Sequence, residues 1–324
     1  MIHRSCLMAL GLLFASVALS PALAQTRSYT DDTGRVVAVP EKPRRIVAMH
    51  DLDITIPLLE LGVMPVASHG RQALDGSRFM RSSARLTGID FDNSPITFLG
   101  ATDVNIEAVA AAKPDLIITG PSRTLPVQQL AKVAPTVVVD NLQGGAPHIY
   151  RRLAELTGTQ DRLAILDRRY QAQLEELKHV VGDPSRVTVA VFQAQNGKIG
   201  VYHTYRSLGR VLRDAGFRFP ALIDGIPENG RIEVSAERLP ELEADFVFDT
   251  YRSDKGGVPQ DEIAAMEKLM PGYCQFLKAC REGRYILVAR EEAISNSYAA
   301  LSLMTSLVQS HLTGRPLPGA AKGK

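Results

Sequence analysis

The chain carries one local pattern twice, in Asn105-Ile-Glu107 through Lys113-Pro-Asp115-Leu-Ile-Ile and in Ser235-Ala-Glu237 through Glu-Ala-Asp245-Phe-Val-Phe. In each, a cap residue opens a short amphipathic helix and Glu follows two positions later. Asp, eight residues after that Glu, leads into an apolar strand. A helix-to-strand unit used twice restricts the chain to an α/β protein with two similar lobes. Each strand is followed by an arginine, Arg123 in Gly120-Pro-Ser-Arg123 and Arg252 in Thr250-Tyr-Arg252. That places a cation near the carboxyl end of a parallel strand, where open α/β sheets bind ligands. Two lobes with matching cationic mouths predict a clamp around an anion.

Strands and helices alternate along the rest of the chain. Apolar runs at 45–49, 65–68, 116–119 and 136–140 read as strands, with helices at 54–61, 106–112, 127–133 and 148–156. The polar stretch 71–93 shows no period. Beyond residue 184 strands recur at 187–192, 198–202, 246–249 and 285–288, and helices at 207–215, 236–242, 261–269 and 298–312. Such alternation implies mainly parallel sheets covered on both faces. Between the two series, Leu163, Leu166, Tyr170, Leu174, Leu177 and Val181 recur in steps of three and four, with no Gly or Pro before Gly182 and Pro184. That is one helix of about 21 residues, roughly 30 Å long, and a connector so stiff limits how far two lobes can swing. The expected organisation is an N-terminal lobe over 25–157, a connecting helix over 158–183, and a C-terminal lobe over 184–324 with a loose tail from about 313.

Residues 1–24 read as a secretory signal peptide. His3 and Arg4 give a polar start, the run from Cys6 to Ser20 is apolar, and Ala22-Leu23-Ala24 is a small-x-small cleavage site before Gln25. The apolar run is shorter than the roughly 20 residues of a spanning helix, and Cys6 lies inside it rather than after a small-residue site, so neither anchor nor lipid attachment is expected. Cleavage after Ala24 releases a soluble periplasmic protein. The 37 basic side chains, less Arg4, leave 36 against 35 acidic ones, which is not the basic balance of a nucleic-acid or membrane-surface protein. The two mature cysteines, Cys274 and Cys280, read as a disulfide in an exported chain, with two reduced buried thiols as the alternative.

Arginine recurs in the loops after the strands: His69-Gly-Arg71, Ser122-Arg123, His203-Thr-Tyr-Arg206, Thr250-Tyr-Arg252 and Ala289-Arg290. Its planar fork matches a carboxylate bidentately and stays charged. One loop arginine alone is ordinarily a solvated surface group. Recurrence singles out Arg123, Arg206 and Arg252 as the ligand-binding set, while Arg71, Arg81 and Arg290 stand in loops that could fold away. Tyr202, Tyr205 and Tyr251 either flank a ligand or pack at strand ends. A naked metal ion would need His50, Asp51, His69, His203 and Asp249 assembled from both lobes, against the repulsion of the arginines. Haem would need Tyr251 or His203 as axial ligand and a wide apolar crevice, in a chain without Trp. No nucleophile elbow, His-Glu-x-x-His or phosphate loop occurs, so a binding protein is expected rather than a hydrolase or other enzyme.

Pro43-x-Arg45-Ile-Val, Glu107 through Lys113-Pro-Asp115-Leu-Ile-Ile, the single connecting helix, and Ser207-Leu-Gly-Arg-Val-Leu with Asp214-Ala-Gly216 together resemble the periplasmic siderophore-binding proteins of ABC importers, over nearly the whole mature chain. Ser122-Arg123, His203-Thr204 and Tyr251-Arg252 are most similar to the ferric-citrate-binding type. The resemblance implies a class III periplasmic-binding-protein fold and a monomer that delivers its cargo to an inner-membrane ABC permease, with no covalently bound cofactor and no nucleic acid. It also implies capture of a ferric siderophore, of carboxylate type such as ferric citrate, by Arg123, Arg206, Arg252, Tyr251 and His203, with Arg71 and Arg290 beside them. Haem, cobalamin or a free metal ion are the alternative ligands on such a fold. The family offers an acidic side chain from each lobe to its permease; here Arg213 stands where such a Glu is expected, which leaves Asp51, Asp53 and Asp214 as candidates.

Overall fold

In the computed structural model the described residues are 25–121 and 125–313; the expected signal peptide, Arg123 and the tail beyond Thr313 lie outside them. A hairpin of β1 (Thr26–Thr30) and β2 (Val36–Pro40) comes first. Its turn is closed by Asp31, whose carboxylate accepts from the N–H of Thr33 and Arg35 at 3.0 and 3.1 Å. The first lobe is built on β3 (Ile46–Ala48), β4 (Ala67–Ser68), a small hairpin of β5 (Arg71–Gln72) and β6 (Arg78–Phe79), then β7 (Thr97–Phe98), β8 (Leu116–Thr119) and β9 (Thr136–Val138). Its main sheet is wholly parallel, in the order β7-β4-β3-β8-β9. Ile46, Leu116, Ile118 and Val137 pack into one core, and Val47, Met49 and Ile117 into a second. Burial on both faces is what makes these strands read as unbroken apolar runs.

The connecting helix runs over Gln160–Val181, 22 residues, or about 33 Å. Leu166, Tyr170, Leu174, Leu177 and Val181 are buried along one stripe, and Gly182 ends the helix with its N–H on the Lys178 carbonyl. The C-terminal helix, Tyr298–Thr313, lies back along the connector; its Tyr298 hydroxyl donates to Asp167 at 3.0 Å. The first core is therefore continuous from Ile46 through the connector to Phe248 and Leu312. Each of the connector's buried leucines removes apolar surface worth about 1.5–3 kcal/mol from water, which ties both lobes to one rod.

The second sheet contains β10 (Val189–Gln195), β11 (Lys198–Tyr202), β12 (Arg231–Val234), β13 (Phe246–Tyr251) and β14 (Tyr285–Ala289), in the order β12-β11-β10-β13-β14. β10, β13 and β14 are parallel, but β11 runs antiparallel to both β10 and β12. The antiparallel half follows from Asn196-Gly197, both at positive φ (53° and 72°). A two-residue loop of that kind matches strand twist in a tight hairpin.

The duplicated pattern turns out to be half conserved in structure. Asn105 does cap its helix, accepting from the Glu107 N–H at 2.7 Å, whereas Ser235 makes no side-chain cap bond and its segment is a 3-10 helix with Pro240 inside. The aspartates are equivalent. Asp115 accepts from the N–H of Arg44 and Arg45 at 2.8 and 2.9 Å where the chain enters β3, and Asp245 accepts from Thr188 N–H at 2.9 Å where it enters β10. Each clips its own strand to the first strand of its lobe. Farther on, the sulfur atoms of Cys274 and Cys280 are bonded, with Cα atoms 5.1 Å apart.

Candidate functional site

A cavity of about 420 Å³ opens between the lobes on the side of β9 and β11, within the size range of small-molecule sites. Its first-lobe wall is Asn141 to Ala146 and its second-lobe wall runs from Tyr202 to Ser207, with Arg210, Arg213, Arg231, Arg290 and Asn296 around it. Two helices begin at this cavity, Gly145–Thr157 and Arg206–Ala215, and both bring the positive end of their dipole toward it. The loop into the second helix is tightly folded. Arg206 has a φ of +45°, a conformation that strains a residue with a side chain by about 1–3 kcal/mol, and its N–H bonds the Thr204 carbonyl at 2.9 Å. Gly209 permits the fold-back, since a Cβ there would stand 3.0 Å from the Thr204 backbone.

The arginines of this wall differ in what already holds them. Arg210 is paired with Asp214 at 2.8 Å, and Arg213 with Asp224 at 2.6 Å; Arg213 also stacks over Phe219 and donates to the His203 carbonyl at 3.0 Å. These two brace the wall. Arg206 donates to the Asn141 carbonyl at 3.2 Å, Arg290 has Glu291 no nearer than 3.6 Å, and Arg231 has no ion pair among the described residues. Three forks and His203 therefore face the cavity with donors to spare. Tyr205 is buried, its hydroxyl bonded to Gln193 and Thr250 at 2.9 and 2.8 Å, so it packs, while Tyr202 stands edge-on to it at the cavity wall.

Behind Arg206 the lobes are joined by a buried polar knot. Asp53 accepts from Asn141 at 2.5 Å and from Asn296 at 3.0 Å, with Arg206 at 3.7 Å. Burial would raise the Asp53 carboxyl, but His50, Arg206 and the Asn141 amide outweigh it and hold it below the usual carboxylate range. The opposite flank of the cleft, near β7 and β14, is acidic. Glu292 accepts from Ser82 at 2.9 Å and Arg85 at 2.8 Å across the lobes, with Asp90, Asp254 and Glu291 lining the same hollow.

Of the residues singled out in the sequence, Arg206, His203 and Arg290 meet at the basic cavity. Arg252 and Tyr251 do not line it. Arg252 is turned to the acidic flank, where Asp254 takes its fork at 2.8 and 2.9 Å. Arg71 donates to the Gly70 carbonyl at 2.9 Å, and Arg81 is locked to buried Asp51 at 2.5 and 2.8 Å. Arg210, Arg213 and Arg231 were not foreseen as site residues, though the spacing of 206, 210 and 213 places three guanidiniums on one helix face. Asp51 and Asp53 are fully buried, which removes them as permease contacts; Asp214 is held by Arg210 and by the Tyr170 hydroxyl. The residues weighed for a naked metal ion are not assembled: His50 and His69 stack 6.4 Å apart in the first lobe, while His203 lines the cavity and Asp249 lies in β13. Asp249 is buried on β13 and accepts from the Tyr285 hydroxyl, Asp51 is occupied by Arg81, and no group of three His, Cys, Asp or Glu among the described residues could hold a metal.

Comparison with known proteins agrees with this architecture. The periplasmic binding protein family matches residues 17–285. A probable siderophore-binding lipoprotein of Bacillus subtilis is 26% identical over 271 residues, 80% of this chain and 79% of that one. The ferric enterobactin-binding periplasmic protein of Escherichia coli is 26% identical over 257 residues, 74% and 78% of the two chains. Among solved structures, Staphylococcus aureus SirA complexed with staphyloferrin B superposes with a TM-score of 0.71 at 20% identity, covering 87% of this chain and 97% of that one. These relatives are binding proteins rather than enzymes.

Proposed function

The chain belongs to the periplasmic binding protein family, and from that premise we propose that it captures an anionic ferric siderophore on the basic flank of its cleft and hands it to an ABC-importer permease. The single observation that carries this reading is the convergence of Arg206, Arg231 and Arg290 with two helix N-termini on one cavity. Carboxylate or mixed citrate-hydroxamate chelates suit that wall, because guanidinium forks bind carboxylate bidentately. Catecholates would draw on aromatic walls, and among the described residues the cavity is lined by Tyr202 and the buried Tyr205 alone of the Phe and Tyr side chains. Relatives named for siderophore binding, one of them periplasmic and one a lipoprotein, support a location outside the cytoplasm. Arg123 is retained as a contributor from the first lobe. The His and Asp side chains are not gathered at one point and give no support to a free metal ion; for haem, His203 lines the cavity and Tyr251 does not, and the arginines around it are not the wide apolar crevice that haem would need. Native mass spectrometry of the mature protein against ferric citrate, a citrate-hydroxamate, a trihydroxamate and a triscatecholate chelate tests the reading. Retention of the carboxylate chelates is expected; binding of none of the four would overturn it.

A further inference from the structure

Arg206 reaches the cavity from the second lobe, yet everything that backs its fork comes from the first lobe or from the segment before the C-terminal helix. Asn141, after β9, offers its carbonyl at 3.2 Å. The same carbonyl accepts from Asn296 at 3.2 Å, and the Asn141 and Asn296 amides both donate to the Asp53 carboxylate. Asp53 itself is fixed by the π-helical turn Asp51–Thr55, where its N–H bonds the His50 Nδ1 at 3.0 Å. Asp53, Asn141, Asn296 and His50 are each at most 9% exposed, so water does not compete for these bonds.

We propose that Asp53 is a positioning residue of the anion site: it aligns the Asn141 carbonyl and its own carboxylate behind Arg206, and so aims that guanidinium at the ligand. This role rests on the proposed capture of an anionic ferric chelate. The competing physical effect is charge. A carboxylate 3.7 Å from the fork opposes an anionic ligand, and removing it would then tighten binding. Orientation is expected to win, because the Asp53 charge is already shared between two side-chain amides, whereas without it the Asn141 loop loses its anchor.

The two effects have opposite signs. Titrating the mature protein with ferric citrate, Asp53→Ala is expected to weaken binding by about 5- to 20-fold in the wild-type background and by less than about twofold when Arg206→Ala is already present, since both changes act through one fork. A gain in affinity, or an equal loss in both backgrounds, would overturn the positioning role. Should Asp53→Ala not fold, Asn296→Ala removes one donor from Asp53 and one from the Asn141 carbonyl while leaving the charge in place, and the same two-background criterion decides. Failure of the underlying reading looks different: wild-type protein that ignores ferric citrate, or an Arg206→Ala variant with unchanged affinity, would overturn the anion site and this role together.

Discussion

The two flanks of the cleft use the same side chains to opposite ends. On the acidic flank and at its back, Arg81, Arg85 and Arg252 each give their fork to a carboxylate within 2.9 Å. On the basic flank Arg206 has Asp53 no closer than 3.7 Å, and that carboxylate is satisfied by two asparagines; Arg290 has Glu291 no closer than 3.6 Å. Counting arginines around a cleft therefore says little about where an anion binds. What decides is which of them the protein's own acids leave unspent.

The sharpest way to break that contrast is to remove one arginine from each flank. Arg206→Ala or Arg290→Ala should weaken binding of an anionic ferric chelate by about 1.5–3 kcal/mol, roughly 10- to 150-fold, and Lys should restore only part because it keeps charge and loses the fork. Arg252→Ala should change affinity by less than about twofold, its fork already belonging to Asp254; equal losses from Arg252 and Arg206 in calorimetric titrations would erase the distinction. Arg123→Ala in the same series shows whether the first lobe adds a fork.

Stability separates the regions next. Burial pushes the His69 imidazole down to about 4 from its ordinary 6.5. A depressed folded value means that the neutral ring stabilises fully above about 6.5 and that this contribution is lost as pH falls toward 4. The loss amounts to at most about 3 kcal/mol. His69→Gln should flatten that part of the denaturation-versus-pH curve, and an unchanged slope would show that other groups set it. Replacing Cys274 and Cys280 by Ser should lower stability by about 1–3 kcal/mol, a short closed loop giving a modest effect, while chelate affinity stays the same. Glu292→Gln, on the acidic flank, should cost about 1 kcal/mol in chemical denaturation and leave chelate binding intact; a loss of affinity there would move the site across the cleft. The smallest effect is expected in shape. With lobes joined by one helix and by the Asp53 and Glu292 contacts, ligand should produce slight shear, and a contraction of several ångströms in small-angle scattering would contradict that rigidity.

The connecting helix was legible residue by residue, because its buried stripe follows the helical period. Strands of two residues, such as Arg78–Phe79 and Thr97–Phe98, carry no period and are defined only by their neighbours. The hairpin at Asn196-Gly197 had its signal in plain view, and so did the arginine stripe at 206, 210 and 213. Arg85 and Glu292 meet from 207 residues apart, and Asn296 and Asp53 from 243. Pairings so distant leave no local trace, and they help to neutralise one flank and spare the other, whereas Arg252 and Asp254 stand only two residues apart.

An anomalous difference map at the iron absorption edge, from crystals grown with a ferric carboxylate chelate, would place the metal directly. One iron peak is expected between the Asn141–Gly145 segment and the Tyr202–Arg206 loop, with Arg206 and Arg290 on the chelate's carboxylates. A peak in the hollow bounded by Ser82, Asp254 and Glu292 would contradict it.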